Sequence, residues 1–170
     1  QFGIRHGGIM AATDEIRIEV SGIGGHAALP HLAVDPVLVA AHIVTGLQSI
    51  VSRNIDPMRS AVLSITMIAA GEASNIISQS ARLRGTVRTL DEDVRTQMEQ
   101  RITQMVPLLA QGFGARAEVT YRRGYPVTVN AVRQADFAAD VASLVAGPDR
   151  VNREVAPSMG AEDFSYMASA

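Results

Sequence analysis

A chain of 170 residues with 47% hydrophobic content is long enough to bury one core of ordinary size. Its formal net charge of −2 gives no pull toward nucleic acid or an anionic membrane, and every one of its 15 basic residues is arginine. Cysteine is absent, which excludes disulfides, a thiolate nucleophile and thiolate-held zinc, and no apolar run reaches the ~18 residues needed to span a bilayer.

The chain opens on Gln1-Phe2-Gly3-Ile4-Arg5, without an initiator Met or a signal-peptide pattern, and reads as the middle of something longer. Residues 1–12 are short and glycine-broken, a crossing segment rather than a core element. A strand is expected over about 14–21, with Ile16, Ile18 and Val20 on one face and Glu15, Arg17 and Glu19 on the other. The run Gly22-Ile23-Gly24-Gly25-His26 follows, its glycines free to take positive φ or to allow close backbone approach, with Pro30 stiffening the exit. Asp35-Pro36 supplies an N-cap and a first-turn proline for a helix to about Arg53. Its main face is Val37, Ala40, Ala41, Val44, Leu47 and Val51, widened by Val39, Ile43 and Ile50. That is more apolar surface than one small sheet covers, which predicts a partner surface.

Asp56-Pro57 marks a turn, and strands are expected over about 60–69 and 80–89, the second with Leu83, Gly85 and Val87 opposite Arg82, Arg84, Thr86 and Arg88. The connection between them, Gly71 to Ser78, holds Asn75. Thr89-Leu90-Asp91-Glu92 reads as a capping box for a second helix, with Asp91 itself a cap candidate. Pro107 is expected to kink that helix, and Gly112 and Gly114 to stop it. A strand over about 115–123 turns Ala117, Val119 and Tyr121 one way. The order is β-α-β-β-α-β, the α+β ferredoxin-like sandwich: a four-stranded antiparallel sheet with two helices on one face. After Tyr125-Pro126 come a helix at about 131–146, with Val132, Phe137, Val141, Leu144 and Val145 as its apolar face, a short strand near 151–155 and a polar loop. The organisation expected is one complete domain, 13–125, flanked by pieces of another, 1–12 and 126–170.

The four histidines show no H-E-x-x-H pattern, and His26 and His31 lie five apart across a proline, poor spacing for joint zinc ligation. No G-x-S-x-G, phosphate-binding loop or dinucleotide fingerprint occurs, and the sheet lacks exposed aromatics for stacking RNA bases. No complete catalytic site and no metal-ligand set is expected in these residues. What remains is a polar constellation for an anion. Arg88 can fork a carboxylate, and Asn75 can add an amide donor.

Taken together, Gly24-Gly25-His26-Ala27-Ala28-Leu29-Pro30-His31, Asp35-Pro36, Gly71-Glu72-Ala73-Ser74-Asn75-Ile76-Ile77, Gly85-Thr86-Val87-Arg88-Thr89 and Met159-Gly160-Ala161-Glu162-Asp163-Phe164 resemble the zinc-dependent aminoacylase and carboxypeptidase family. The subgroup is that of the amidohydrolases of hippurate hydrolase and auxin-conjugate hydrolase type. The resemblance implies a ferredoxin-like lid and dimerisation domain inserted in a metal-dependent catalytic domain. His26 would be the catalytic lid histidine that reaches a neighbouring subunit, Asn75 and Arg88 the pair holding the substrate carboxylate, and Gly160 and Glu162 part of a loop at the substrate pocket. It further implies two divalent ions, zinc or manganese, and a general-base glutamate, all held outside residues 1–170, so that no metal is expected on this chain itself. The expected partners are an N-acyl amino acid and a second subunit in a homodimer, with no nucleic acid and no membrane, in the cytoplasm. The family commonly has proline where this chain has Ser78, which leaves the loop after Asn75 less stiff. The rival reading is a non-catalytic small-ligand-binding or dimerisation module.

Overall fold

The computed structural model describes residues 1–168. In chain order its elements are β1 (Phe2–Gly3), β2 (Gly7–Met10), β3 (Ala12–Ser21), β4 (Gly25–His26), α1 (Pro36–Ser49), β5 (Ala61–Ala70), β6 (Ile76–Ile77), β7 (Ser80–Thr89), α2 (Glu92–Gly112), β8 (Arg116–Arg123), β9 (Thr128–Asn130), α3 (Val132–Ala146), β10 (Val151–Asn152) and α4 (Phe164–Ala168).

Four of the strands form one sheet in the order β5-β7-β3-β8, and every neighbouring pair is antiparallel. The long central pairing runs from Ala12 opposite Thr89 to Ser21 opposite Ser80. Alternation decides which way each strand faces, because successive side chains point to opposite sides. Ile16, Ile18 and Val20 of β3 and Leu83 and Val87 of β7 are buried, while Arg17, Glu19, Arg82 and Arg84 lie on the open face. The helices close the apolar side. Val39, Ile43 and Leu47 of α1, and Val94, Met98, Ile102 and Val106 of α2, recur every four residues, and all pack into that one core. The ferredoxin-like sandwich expected from the order of elements is therefore present.

Local signals set the helix starts. Asp35 accepts the Val37 amide at 2.9 Å, and Asp91 accepts those of Asp93 (2.9 Å) and Val94 (3.1 Å). The cap of α2 is thus Asp91 alone. No capping box forms from Thr89, which is the last residue of β7 and is buried. The helix runs without interruption through Pro107 to Gly112, and Gly114 at φ 75° completes the turn into β8. α1 ends at Ser49, but a π turn over Ile50–Asn54 carries the chain on.

Two expected apolar faces sit differently. The buried side of α1 is Pro36, Val39, Ala40, Ile43 and Leu47, which leaves Val37 and Ala41 exposed. α3 packs through Ala135, Ala139 and Ala142, while Phe137, Leu144 and Val145 are 71%, 87% and 79% exposed. The termini lie together: β2 pairs antiparallel with β9, β1 pairs parallel with β10, and Met10 bridges to Ser158. Among the described residues no helix is long and apolar enough to cross a membrane.

Candidate functional site

The glycine run is a pinned strap rather than a loose loop. Gly22 donates to the Gln79 carbonyl at 2.9 Å, Ile23 and Val34 exchange both backbone bonds (3.0 and 2.9 Å), and β4 pairs with β6 so that Gly25 faces Ile77 and His26 faces Ile76. None of Gly22, Gly24 or Gly25 has positive φ. Gly22 and Gly24 are needed for space instead: a Cβ on Gly22 would lie 2.1 Å from the Val34 oxygen, and one on Gly24 3.0 Å from the Ile77 oxygen, whereas one on Gly25 would make only ordinary contact with Ala33. The expected close approach is realised and the expected positive φ is not.

This strap presents His26. The Ala28 amide donates to His26 Nδ1 at 3.1 Å, and Leu29 N donates to the His26 carbonyl at 2.8 Å. Because Nδ1 accepts, the neutral ring carries its proton on Nε2, which leaves a hydrogen-bond donor at the exposed tip. Asn75 is its neighbour, since the Ala27 amide donates to the Asn75 carbonyl at 3.0 Å. Ser78, where the family pattern has proline, donates its hydroxyl to the Ser80 carbonyl at 3.0 Å, a local tie for that loop. Open clefts lie on both sides of β6. One, of about 390 Å³, is lined by His26, Gly25 and Ile77, and the other, of about 640 Å³, by Glu72, Ala73 and Arg82.

Arg88 lies elsewhere. It is half-buried on β7 opposite Thr13 and Val62, at the far end of the strand from Ser80. Eight residues of extended chain separate Ser80 from Arg88, roughly 26 Å at ~3.3 Å per residue. Asn75 and Arg88 therefore do not meet within one chain. Gly160 and Glu162 belong with Arg88 instead: the Ala11 amide, two residues before Thr13, donates to the carbonyls of Ser158 (3.1 Å) and Gly160 (2.9 Å). Glu162 is exposed and accepts the Phe164 amide at the start of α4 (3.4 Å). The five sequence-derived residues thus form two sets at opposite ends of the sheet.

Sequence reasoning missed a polar cluster between the sheet and α2. Asp14 and Arg95 are 2% and 4% exposed and joined through Nε at 3.1 and 3.0 Å and through Nη2 at 2.6 Å. The Tyr121 hydroxyl donates to Asp14 at 2.7 Å, and the Gly124 amide does so at 3.1 Å. Burial first, and then the Asp14 carboxylate, push the Tyr121 phenol upward from its ordinary value. The readable signal was Asp14 itself, an acid at an inward position of the 14-16-18-20 alternation. The described residues bring no three His, Asp or Glu side chains together as a metal site.

A family described as the peptidase dimerisation domain matches residues 12–110. Among known proteins, the chain is 42% identical over 168 residues to an N-acetyldiaminopimelate deacetylase of Bacillus licheniformis (98% of this chain, 44% of that protein). It is 38% identical over 166 residues to a hippurate hydrolase of Campylobacter jejuni (98% and 43%). Its fold matches a crystal structure of a Bacillus subtilis dinuclear metal-binding peptidase of the M20 family at TM-score 0.76 and 27% identity (98% of this chain, 40% of that one). A protein from methicillin-resistant Staphylococcus aureus superposes at TM-score 0.86 and 25% identity (99% and 44%). The chain spans about two fifths of the length of these relatives. The resemblance read from the five motifs is thereby established: this chain belongs to the M20 peptidase dimerisation-domain family.

Proposed function

We propose that this chain is the lid and dimerisation part of a metal-dependent amidohydrolase that cleaves the amide bond of N-acyl amino acids, with residues 1–12 and 126–170 belonging to its catalytic domain. The observation that carries the reading is the separation of the two residue sets. His26 and Asn75 stand at one end of the sheet, and Arg88 stands at the other beside the Gly160–Glu162 loop. One carboxylate cannot bridge roughly 26 Å. A two-fold homodimer resolves this, because each subunit's His26 and Asn75 can reach across to a substrate held beside the partner's Arg88. The surface supports such a pairing. β5 is an edge strand whose Met67 and Ile68 are 58% and 57% exposed, and Val37 and Leu38 of α1 are also open.

In this reading the Arg88 guanidinium, which has no hydrogen-bond or ion-pair partner among the described residues, forks the substrate carboxylate, and Asn75 of the other subunit adds an amide donor. The His26 Nε2–H donates to the carbonyl oxygen as charge develops on it. Its Nδ1 bond to the Ala28 amide holds the ring in that tautomer. Among the described residues no cluster of His, Asp or Glu side chains fits a metal site. The two divalent ions, zinc or manganese, would be held by catalytic-domain residues outside this chain, where they would supply an activated water and polarise the scissile carbonyl.

The test uses the full-length enzyme. His26→Ala should lower kcat by about 10²–10³, the cost of one oxyanion donor. Subunits carrying His26→Ala are then exchanged with subunits whose metal site is inactivated. Action in trans rebuilds one working site from two inactive parents, so activity returns. Mixed dimers that form and stay inactive would refute the reading and leave the binding or dimerisation module as the better description.

A further inference from the structure

The main chain passes between the sandwich and the terminal segments at only two places, Ala11–Thr13 and Arg123–Tyr125. The second crossing is bonded to the buried cluster, and the first is bonded to the second and runs directly into Asp14. Thr13 N donates to the Tyr125 carbonyl at 3.0 Å, and Gly124 N donates to the Thr13 carbonyl at 2.9 Å and to Asp14 at 3.1 Å. Arg95 Nη2 reaches the carbonyls of Gly124 (3.1 Å) and Tyr125 (3.4 Å) while the same side chain holds Asp14. The two crossings run so close that a Cβ on Gly124 would lie 2.6 Å from the Thr13 oxygen. A buried ion pair is a poor device for stability alone, because desolvation cancels much of its attraction, whereas its fixed geometry can select one arrangement.

We propose that Asp14 and Arg95 are positioning residues that latch the two crossings together and so fix the sandwich at one angle to the terminal segments. Arg88 faces Thr13 across the sheet, and Ala11 holds the Ser158–Gly160 loop. The latch therefore sets Arg88 against the loop that carries Gly160 and Glu162. It rests on the functional reading above only for what this alignment serves. The geometry can be measured without any activity.

The test is a distance distribution by pulsed electron spin resonance in the full-length protein, diluted with unlabelled subunits. Spin labels go on Gln111→Cys, at the end of α2, and Leu144→Cys, on α3, both exposed in a chain with no cysteine of its own. The parent should show one narrow distance. Arg95→Lys keeps a charge for Asp14 but lacks the planar fork that also reaches the two carbonyls, so the distribution should broaden or split. The apolar replacement Asp14→Leu/Arg95→Met/Tyr121→Phe should do the same while melting close to the parent. Either variant folded with the parent's single narrow distance overturns the proposal. Amide exchange in the unaltered protein decides independently of any variant. Thr13 and Gly124 should be as protected as Ile18 in the core, and exchange orders of magnitude faster would also overturn it.

Discussion

Asp14→Ala is the sharpest test of how the sandwich is held together. The carboxylate accepts from Arg95 Nε and Nη2, from the Tyr121 hydroxyl and from the Gly124 amide, at distances from 2.6 to 3.1 Å. Removing it leaves the Arg95 guanidinium buried with Glu92, at 2.9 Å and half exposed, as its remaining ionic partner. It also strips the Tyr121 hydroxyl of its acceptor, while the Gly124 amide keeps the Thr13 carbonyl at 2.9 Å. Breaking a buried pair by deleting one member costs about 3–5 kcal/mol. Against a total stability of about 5–15 kcal/mol, that is a large fraction. For a chain of this size each kcal/mol moves Tm by about 2–4 °C, so a fall of roughly 6–20 °C is expected. Urea unfolding followed by circular dichroism, with the m-value checked for constancy, measures the loss directly. A loss below about 1 kcal/mol would show that water or main-chain groups replace Asp14 at little cost, and the argument from burial would fail.

Gly22→Ala sets a methyl group 2.1 Å from the Val34 carbonyl oxygen, a backbone atom that no rotamer change moves. A loss of about 1–3 kcal/mol is expected, and an alanine variant as stable as the parent would mean that the strap is slack. The Tyr121 phenol is raised by burial and by Asp14. Its contribution is therefore complete below the ordinary value of about 10 and is lost as pH rises above it. Tyr121→Phe should flatten the alkaline limb of a Tm-versus-pH curve, and an unchanged limb would refute the assignment. Arg88→Ala removes a side chain with no bonded partner among the described residues, so stability should move by no more than about 0.5 kcal/mol. In the full-length enzyme KM for carboxylate-bearing substrates should rise steeply, and parent-like kinetics would remove Arg88 from the site.

Sequence by itself determined the parts of this protein that depend on near neighbours. The β-α-β-β-α-β order, the inward Ile16-Ile18-Val20 face and the caps at Asp35 and Asp91 follow from alternation, helical period and side-chain oxygens within three residues of the amides they accept. The motifs around His26, Asn75, Arg88 and Glu162 were legible in the same way, as short strings. Only the tertiary structure decided how far apart those strings lie. Asn75 and Arg88 are thirteen positions apart by their residue numbers, yet a hairpin arm and the length of β7 put them at opposite ends of the sheet. Period alone also could not say which side of α1 a two-helix layer covers, so Val37 and Ala41 turn outward and Val39 and Ile43 inward. The Asp14–Arg95 pair joins residues 81 positions apart. No local rule brings two charges together over that distance. Only the packing of α2 against the sheet makes burying both together cheaper than burying either alone.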